Sequence, residues 1–230
     1  SIEFGIFIII LFCIYWFAIS RHPKVQNILL LSASYLFYGW WDPRFLILLF
    51  SISIVNYLLG FAIGKEEIKS RRVILIVSGL FLNLGTLITF KYFEFFTAGF
   101  ARIVSQFGFS IKEPSLNIIL PLGLSFYIFL SISYILDVFR KTIPAEKDPV
   151  NVLLSLSFFP IILAGPIQRP SSLLPQIKAL RKFEYEKATD GIKQVLWGLF
   201  AKMAVADNLS PVVDKVFSNY AVLNGSTLLL

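Results

Sequence analysis

The chain has 230 residues, 57% of them hydrophobic and 15% charged, with a mean hydropathy of +0.76; soluble domains carry about 25% charged residues. The formal charge of +7 comes from 21 Lys and Arg, and these fall mostly between apolar runs, where positive-inside bias puts them, so the charge is no sign of nucleic-acid binding. The single cysteine, Cys13, and single histidine, His22, exclude an internal disulfide, a Cys/His metal cluster and a Ser-His-Asp triad assembled around a buried imidazole.

Apolar runs of roughly 18 residues or more recur, each long enough to cross about 30 Å of hydrocarbon. They predict an all-α, polytopic transmembrane helical protein with spans at 2–19, 25–41, 44–63, 72–91, 116–138 and 150–165, a further apolar helix over 188–206, and an ambiguous stretch at 92–110. The first run has no basic leader and no small-residue cleavage site before Arg21, so it reads as a retained helix rather than a signal peptide. The chain begins without Met, and its start is expected to lie upstream. His22, in the loop SRHPKV, reads as a polar linker residue.

YLFYGWWDPRFL (35–46) groups Tyr35, Tyr38, Trp40 and Trp41 at the end of one run, with Pro43 suited to the first turn of the next. This predicts a tight interfacial hairpin. GFAIG (60–64) fits the small-residue helix contact pattern, although it stands at a span's end. Loop charges assign sides. Arg21 and Lys24, then Lys65, Lys69, Arg71 and Arg72, fall in loops expected to be cytoplasmic, and Arg140, Lys141 and Lys147 follow on the same side.

FFPIILAGPIQRPSSLLPQI (158–177) disturbs this alternation. A full crossing over 150–165 would put Arg169, Lys178, Arg181, Lys182 and Lys187 outside. A re-entrant segment, turned by Gly165 and the neighbouring prolines, keeps them inside, and irregular backbone is tolerated at membrane depth when it is buried or lines a watery cavity. An ordinary kinked span is the alternative. Leu174, Ile177, Leu180 and Phe183 recur every three residues with basic residues between, as in a helix lying at the interface.

The candidate site follows from charged and helix-breaking residues near membrane depth. Asp137 and Arg140, three apart at a span's end, share a helical face and suit an ion pair or, for Arg140, contact with the phosphate or thioester of an arriving donor. Gln168 and Arg169, past the Gly165-Pro166 turn, suit hydrogen bonds to a substrate or to the carbonyls of the broken helix. Lys202 and Asp207 suit anchoring of a helix end.

PLGLSFYIFLSISYILDVFR (121–140), the 158–177 stretch, GLFAKMAVADNL (198–209) and YGWWDPRFL (38–46) together resemble the membrane-bound O-acyltransferases (MBOAT), in the bacterial branch concerned with alginate O-acetylation and D-alanyl transfer. The resemblance implies a pocket narrowing through the bacterial cytoplasmic (inner) membrane. An acyl thioester, acetyl-CoA or a loaded acyl carrier protein, would arrive from the cytoplasm as co-substrate, with no tightly bound cofactor and no metal. An envelope polysaccharide would supply the hydroxyl, and a periplasmic or extracellular acyltransferase partner would complete the transfer, in contact with membrane lipid throughout. On this reading residues 1–114 are N-terminal transmembrane helices and 115–230 the first part of a core continuing beyond the chain end. Pro121, Asp137, Arg140, Gly165, Pro166, Gln168 and Arg169 would then line the substrate passage.

One departure stands out. The family's catalytic histidine lies in a later apolar helix, and no histidine follows position 22 here. The chain therefore reads as the front portion of a longer enzyme with no catalytic residue of its own. A non-enzymatic transport or docking subunit on the same scaffold is the second reading.

Overall fold

A computed structural model describes residues 2–19, 22–93, 95–97, 99, 119–165 and 168–218; every regular element among them is helical. The stretch at 92–110 falls largely outside the described residues. The chain divides into two units, 1–181 and 182–230.

In the first unit α1 (Ile2–Cys13) runs into a π-helical segment (Ile14–Ala18), followed by α2 (Pro23–Trp41), α3 (Arg44–Lys65), α4 (Lys69–Lys91) and α5 (Leu124–Phe139). Short helices α6 (Pro149–Ser157), α7 (Phe159–Ala164) and α8 (Pro170–Lys178) complete it. α3 and α4, of 22 and 23 residues, are long and apolar enough to cross a membrane. Phe81 and Ile47 on them are 80% and 74% exposed.

α2 starts where Pro23 supplies a pre-set φ and lacks only an N–H that a first turn leaves unpaired. Exposed His22 is its N-cap residue, with its carbonyl accepting from Gln26 N–H at 3.0 Å. The expected hairpin follows: α2 stops at Trp41, and Asp42 and Pro43 alone connect it to α3. The Asp42 carboxylate accepts from the Arg44 backbone N–H at 3.0 Å and pairs with its guanidinium at 2.7 Å. That side-chain hydrogen bond holds the Asp42 carboxyl below its ordinary value. Trp41 stacks on Phe45, with ring centroids 5.7 Å apart.

α5 packs between α3 and α4, and α6 between α2 and α3. Lipid tails are as apolar as leucine, so such helices associate through close packing and polar contacts rather than water exclusion. Small residues supply the packing. A side chain at Gly60 would meet the Tyr134 ring, and one at Gly64 would meet Ala145. The GFAIG pattern thus serves an intramolecular contact with α5 and the loop after it. The polar contacts are asparagine pairs: Asn56 and Asn83 exchange amide hydrogen bonds of 3.1 and 2.9 Å between α3 and α4.

Two expected spans and the expected interfacial helix change. The run over 150–165 is two helices, α6 and α7, broken at Phe158, whose ψ of 109° is extended. Pro160 has no N–H for a helical bond to the Leu156 carbonyl, and its ring would crowd that carbonyl. The Phe159 N–H instead donates to Ser34 Oγ on α2 at 3.3 Å. Within the run over 116–138, α5 starts at Leu124, because Gly123 has φ +66°; residues 116–118 lie outside the described residues. The helix expected through Leu180 and Phe183 stops at Lys178. Arg181 turns back, its Nε donating to the Gln176 carbonyl and its Nη2 to Ile177 O, so a side chain satisfies the terminal carbonyls.

In the second unit α9 (Tyr185–Phe200) passes through a π-helical segment (Ala201–Ala206) into α10 (Asp207–Ser218). Lys202 and Asp207 form a 2.8 Å ion pair across that junction, the anchoring expected of them.

Candidate functional site

The sequence singled out seven residues, and α5 separates most of them. Pro121 lies buried just before its N-terminus, and Asp137 and Arg140 lie at its C-terminal end, roughly 20–25 Å away at 1.5 Å per residue.

At the N-terminal end the broken stretch meets the turn that starts α5. The Pro121 carbonyl accepts from the Leu124 N–H at 3.2 Å, closing the turn. Tyr38 Oη on α2 donates to the Leu122 carbonyl at 3.0 Å. Gly123 sits against Ile162 of α7 so closely that an added Cβ would overlap its side chain and lie 2.7 Å from its carbonyl oxygen. Phe159 holds α7 from the other side, packing its ring on Phe37, Phe4 and Phe7 with centroids 5.4 to 6.4 Å apart. Gly165 ends α7 with an extended ψ of 159°, and its N–H donates to the Ile161 carbonyl at 3.2 Å. A Cβ there would lie 2.7 Å from the Ile161 Cα. So two of the candidates, Pro121 and Gly165, belong to one tightly packed junction of α2, α5 and α7. Pro166 lies outside the described residues. Gln168 is half-buried and Arg169 exposed, and neither side chain bonds to another described residue, so they do not satisfy the broken-helix carbonyls.

At the other end Asp137 is buried, yet its Oδ2 has no hydrogen-bond partner among the described residues, and Arg140 is exposed at the C-cap. The expected ion pair does not form. α5 ends at Phe139, and the chain turns through Lys141 at φ +61°, with Lys141 N–H bonded to Val138 O and Thr142 N–H to Asp137 O. The Arg140 N–H still donates to Leu136 O at 2.8 Å as a helical residue would, so the spacing holds, but the exposed guanidinium does not reach the buried carboxylate.

Beside this turn lies a pocket of about 840 Å³, lined by Phe61 and Lys65 of α3, Arg72 of α4, and Lys141, Ile143 and Lys147 of the following loop. Neither Asp137 nor Arg140 lines it. Lys141, which the sequence marked only as a loop charge, does. The same loop is tied down by Glu146, which pairs with Lys178 at 2.8 Å and accepts from the backbone of Lys147 and Asp148 at 3.1 Å. Partial burial works to raise the Glu146 carboxyl, but the hydrogen bonds and charge of Lys178 outweigh it, and the net shift is downward. A folded value below the unfolded one means stability that is present above the ordinary glutamate range and lost as pH falls through the folded value. The protection of the Lys147 and Asp148 amides against exchange, relative to the intrinsic rate at each pH, should therefore fall on acidification, and Glu146→Gln should remove most of that dependence.

A polar network that no local signal announces joins the remaining helices. Asn27 of α2 donates to Asn151 Oδ1 of α6 at 2.9 Å and to the Ile177 carbonyl of α8 at 3.0 Å, while its own Oδ1 accepts from Arg181 at 2.7 Å. Arg181 also donates to Tyr15 Oη at 2.7 Å.

No family model matches the chain, and no solved structure matches it. Curated proteins do. The chain is 35% identical over 198 residues to a probable alginate O-acetylase of Azotobacter vinelandii, covering 85% of this chain and 39% of that protein. It is 34% identical to the probable alginate O-acetylase of Pseudomonas aeruginosa, covering 85% and 37%. It is 27% identical over 233 residues to a peptidoglycan O-acetyltransferase of Helicobacter pylori, covering 90% and 43%. The chain thus spans about two fifths of the length of the curated relatives it matches.

Proposed function

The chain belongs to the membrane-bound O-acyltransferases of bacteria, alongside the alginate O-acetylases it resembles, and from that premise we propose that the whole protein moves an acyl group, acetyl in the first instance, from a thioester to a hydroxyl of an envelope polysaccharide. The observation carrying this reading is the similarity to polysaccharide O-acetylases over most of the chain. The junction of α2, α5 and α7 supports it from the structural side, because a purely spanning bundle has no need of a helix broken at Phe158 and stopped again at Gly165.

In the reaction the hydroxyl oxygen attacks the thioester carbonyl, the carbon–oxygen bond forms, the carbon–sulfur bond breaks, and the hydroxyl proton passes by way of a base to the departing thiolate. His22 stands exposed at a helix N-cap and is not assigned the role of base. What these residues contribute is shape. The Pro121–Gly123 turn and the α7 backbone up to Gly165 form one wall of the passage, with segment 149–165 dipping into the protein and returning to the cytoplasmic face. The donor, acetyl-CoA or a loaded acyl carrier protein, enters from that face of a multi-pass protein of the cytoplasmic membrane. An acyltransferase partner outside the membrane takes up the product.

The test is the ester content of the envelope polysaccharide in the native host. Deleting the gene should abolish base-labile acetyl esters, and the wild-type gene should restore them. Gly165→Val, whose side chain must displace the α7 backbone, should restore less than about a tenth, while the protein still reaches the membrane. Unchanged esters in the deletion strain would remove the proposed activity.

A further inference from the structure

The pocket beside the end of α5 has a feature that packing does not explain. The turn after Phe139 satisfies both its carbonyl bonds in a pattern whose left-handed position normally takes glycine, because a side chain there crowds the backbone. This chain places Lys141 there, at φ +61°, and Lys141 lines the pocket. Around it stand Lys65, Arg72 and Lys147. Glu66 and Glu67 line the same pocket and leave a net formal charge of two positive; Glu66 is already engaged, accepting from the Ile68 N–H at 3.0 Å. Arg72 donates to the Phe139 carbonyl at 2.6 Å, and its buried Nε has no hydrogen-bond partner among the described residues. A guanidinium with an unused donor and a lysine held in a strained turn, both lining one open cavity, are what an anion with several acceptor oxygens would satisfy.

We propose that this pocket, formed by Lys65, Arg72, Lys141 and Lys147, is a binding site for a phosphate group, carried either by an anionic lipid headgroup of the adjoining leaflet or by a soluble phosphate ester. The inference does not depend on acyl transfer. Arg72 turns its guanidinium onto a phosphate oxygen, and the lysine ammonium groups close over the remaining oxygens as mobile point charges. The loop from Lys141 to Lys147 closes onto α3 because Gly64 leaves room for Ala145, and Tyr57 Oη donates to the Lys147 carbonyl at 3.0 Å, so the lysines come from a fixed loop.

Lys141→Gly is the informative variant, since it removes the cation and supplies the residue the turn prefers. The full-length protein would be studied in nanodiscs of phosphatidylcholine, with or without phosphatidylglycerol. Native mass spectrometry would read retained lipid, and thermal unfolding with added coenzyme A would read the soluble ester. For a headgroup site the wild type retains phosphatidylglycerol, and Lys141→Gly loses roughly five- to tenfold in affinity while unfolding at the same or a higher temperature. For a soluble ester the wild type is stabilised by coenzyme A in neutral nanodiscs, and the variant loses that response. Lys147→Gln, outside the strained turn, should weaken whichever ligand binds. Retention of neither ligand by the wild type, or equal binding by wild type and both variants, overturns the proposal.

Discussion

Gly123→Val is expected to destabilise the first unit by about 3 kcal/mol and to abolish restoration of polysaccharide acetylation. Two costs combine. The left-handed backbone at φ +66° disfavours any L side chain by about 1–2 kcal/mol, and forcing atoms into a packed site adds about 1–3 kcal/mol. The second cost cannot be relieved by a rotamer, because the added carbon meets the Ile162 carbonyl as well as its side chain. Relief requires α7 to back away from the start of α5, which also strains the bond from Tyr38 to the Leu122 carbonyl. Gly85 is the control: nothing lies within 4 Å of a Cβ there, and Gly85→Ala in mid-α4 should be neutral or stabilising by up to about 1 kcal/mol. Thermal unfolding in detergent compares the two. Equal transitions for both variants would mean the α5–α7 junction is looser than the contacts imply.

Asn27→Leu is the other substitution with a large expected effect, again about 3 kcal/mol. One buried amide makes three bonds; its loss strands Asn151 Oδ1 and takes one bond each from the Ile177 carbonyl and Arg181 Nη2, which keep their bond to each other. A stranded buried group costs about 1–3 kcal/mol, more when charged, although polar groups in membrane proteins often find substitute partners. Arg181 keeps the Ile177 carbonyl and Tyr15 Oη as partners, whereas Asn151 makes no other side-chain hydrogen bond among the described residues. Adding Asn151→Leu to Asn27→Leu should therefore cost less than the two single losses summed. Strict additivity in unfolding measurements would mean the amides do not act as a pair.

The features legible in the sequence were those whose cause is local. Hydropathy gave away α2, α3 and α4 to within three residues, and Asp42-Pro43 marked the hairpin because proline and an acidic residue act on their own neighbours. The turn expected at Gly165 and the neighbouring prolines is where α7 ends, and the further break at Phe158 lies earlier because a proline disrupts the turn before it. The ion pair of Asp137 and Arg140 was read from spacing alone, whereas the carboxylate is buried and the guanidinium exposed. The Asn27–Asn151 and Asn56–Asn83 pairs lie 124 and 27 residues apart, and no periodicity connects such partners.

α6 carries a consequence for how the protein is made. Nine residues rise only about 14 Å, and Asn151 through Ser157 are buried on every side of the helix. A helix with no face for lipid, and with an asparagine and two serines among those buried residues, cannot leave the translocon as an independent unit and wait in the bilayer. It must be delivered onto α2, α3 and α5 after these are already in place. The order of synthesis agrees, since all three precede it in the chain, and biogenesis then proceeds by docking onto an existing cleft rather than by insertion alone.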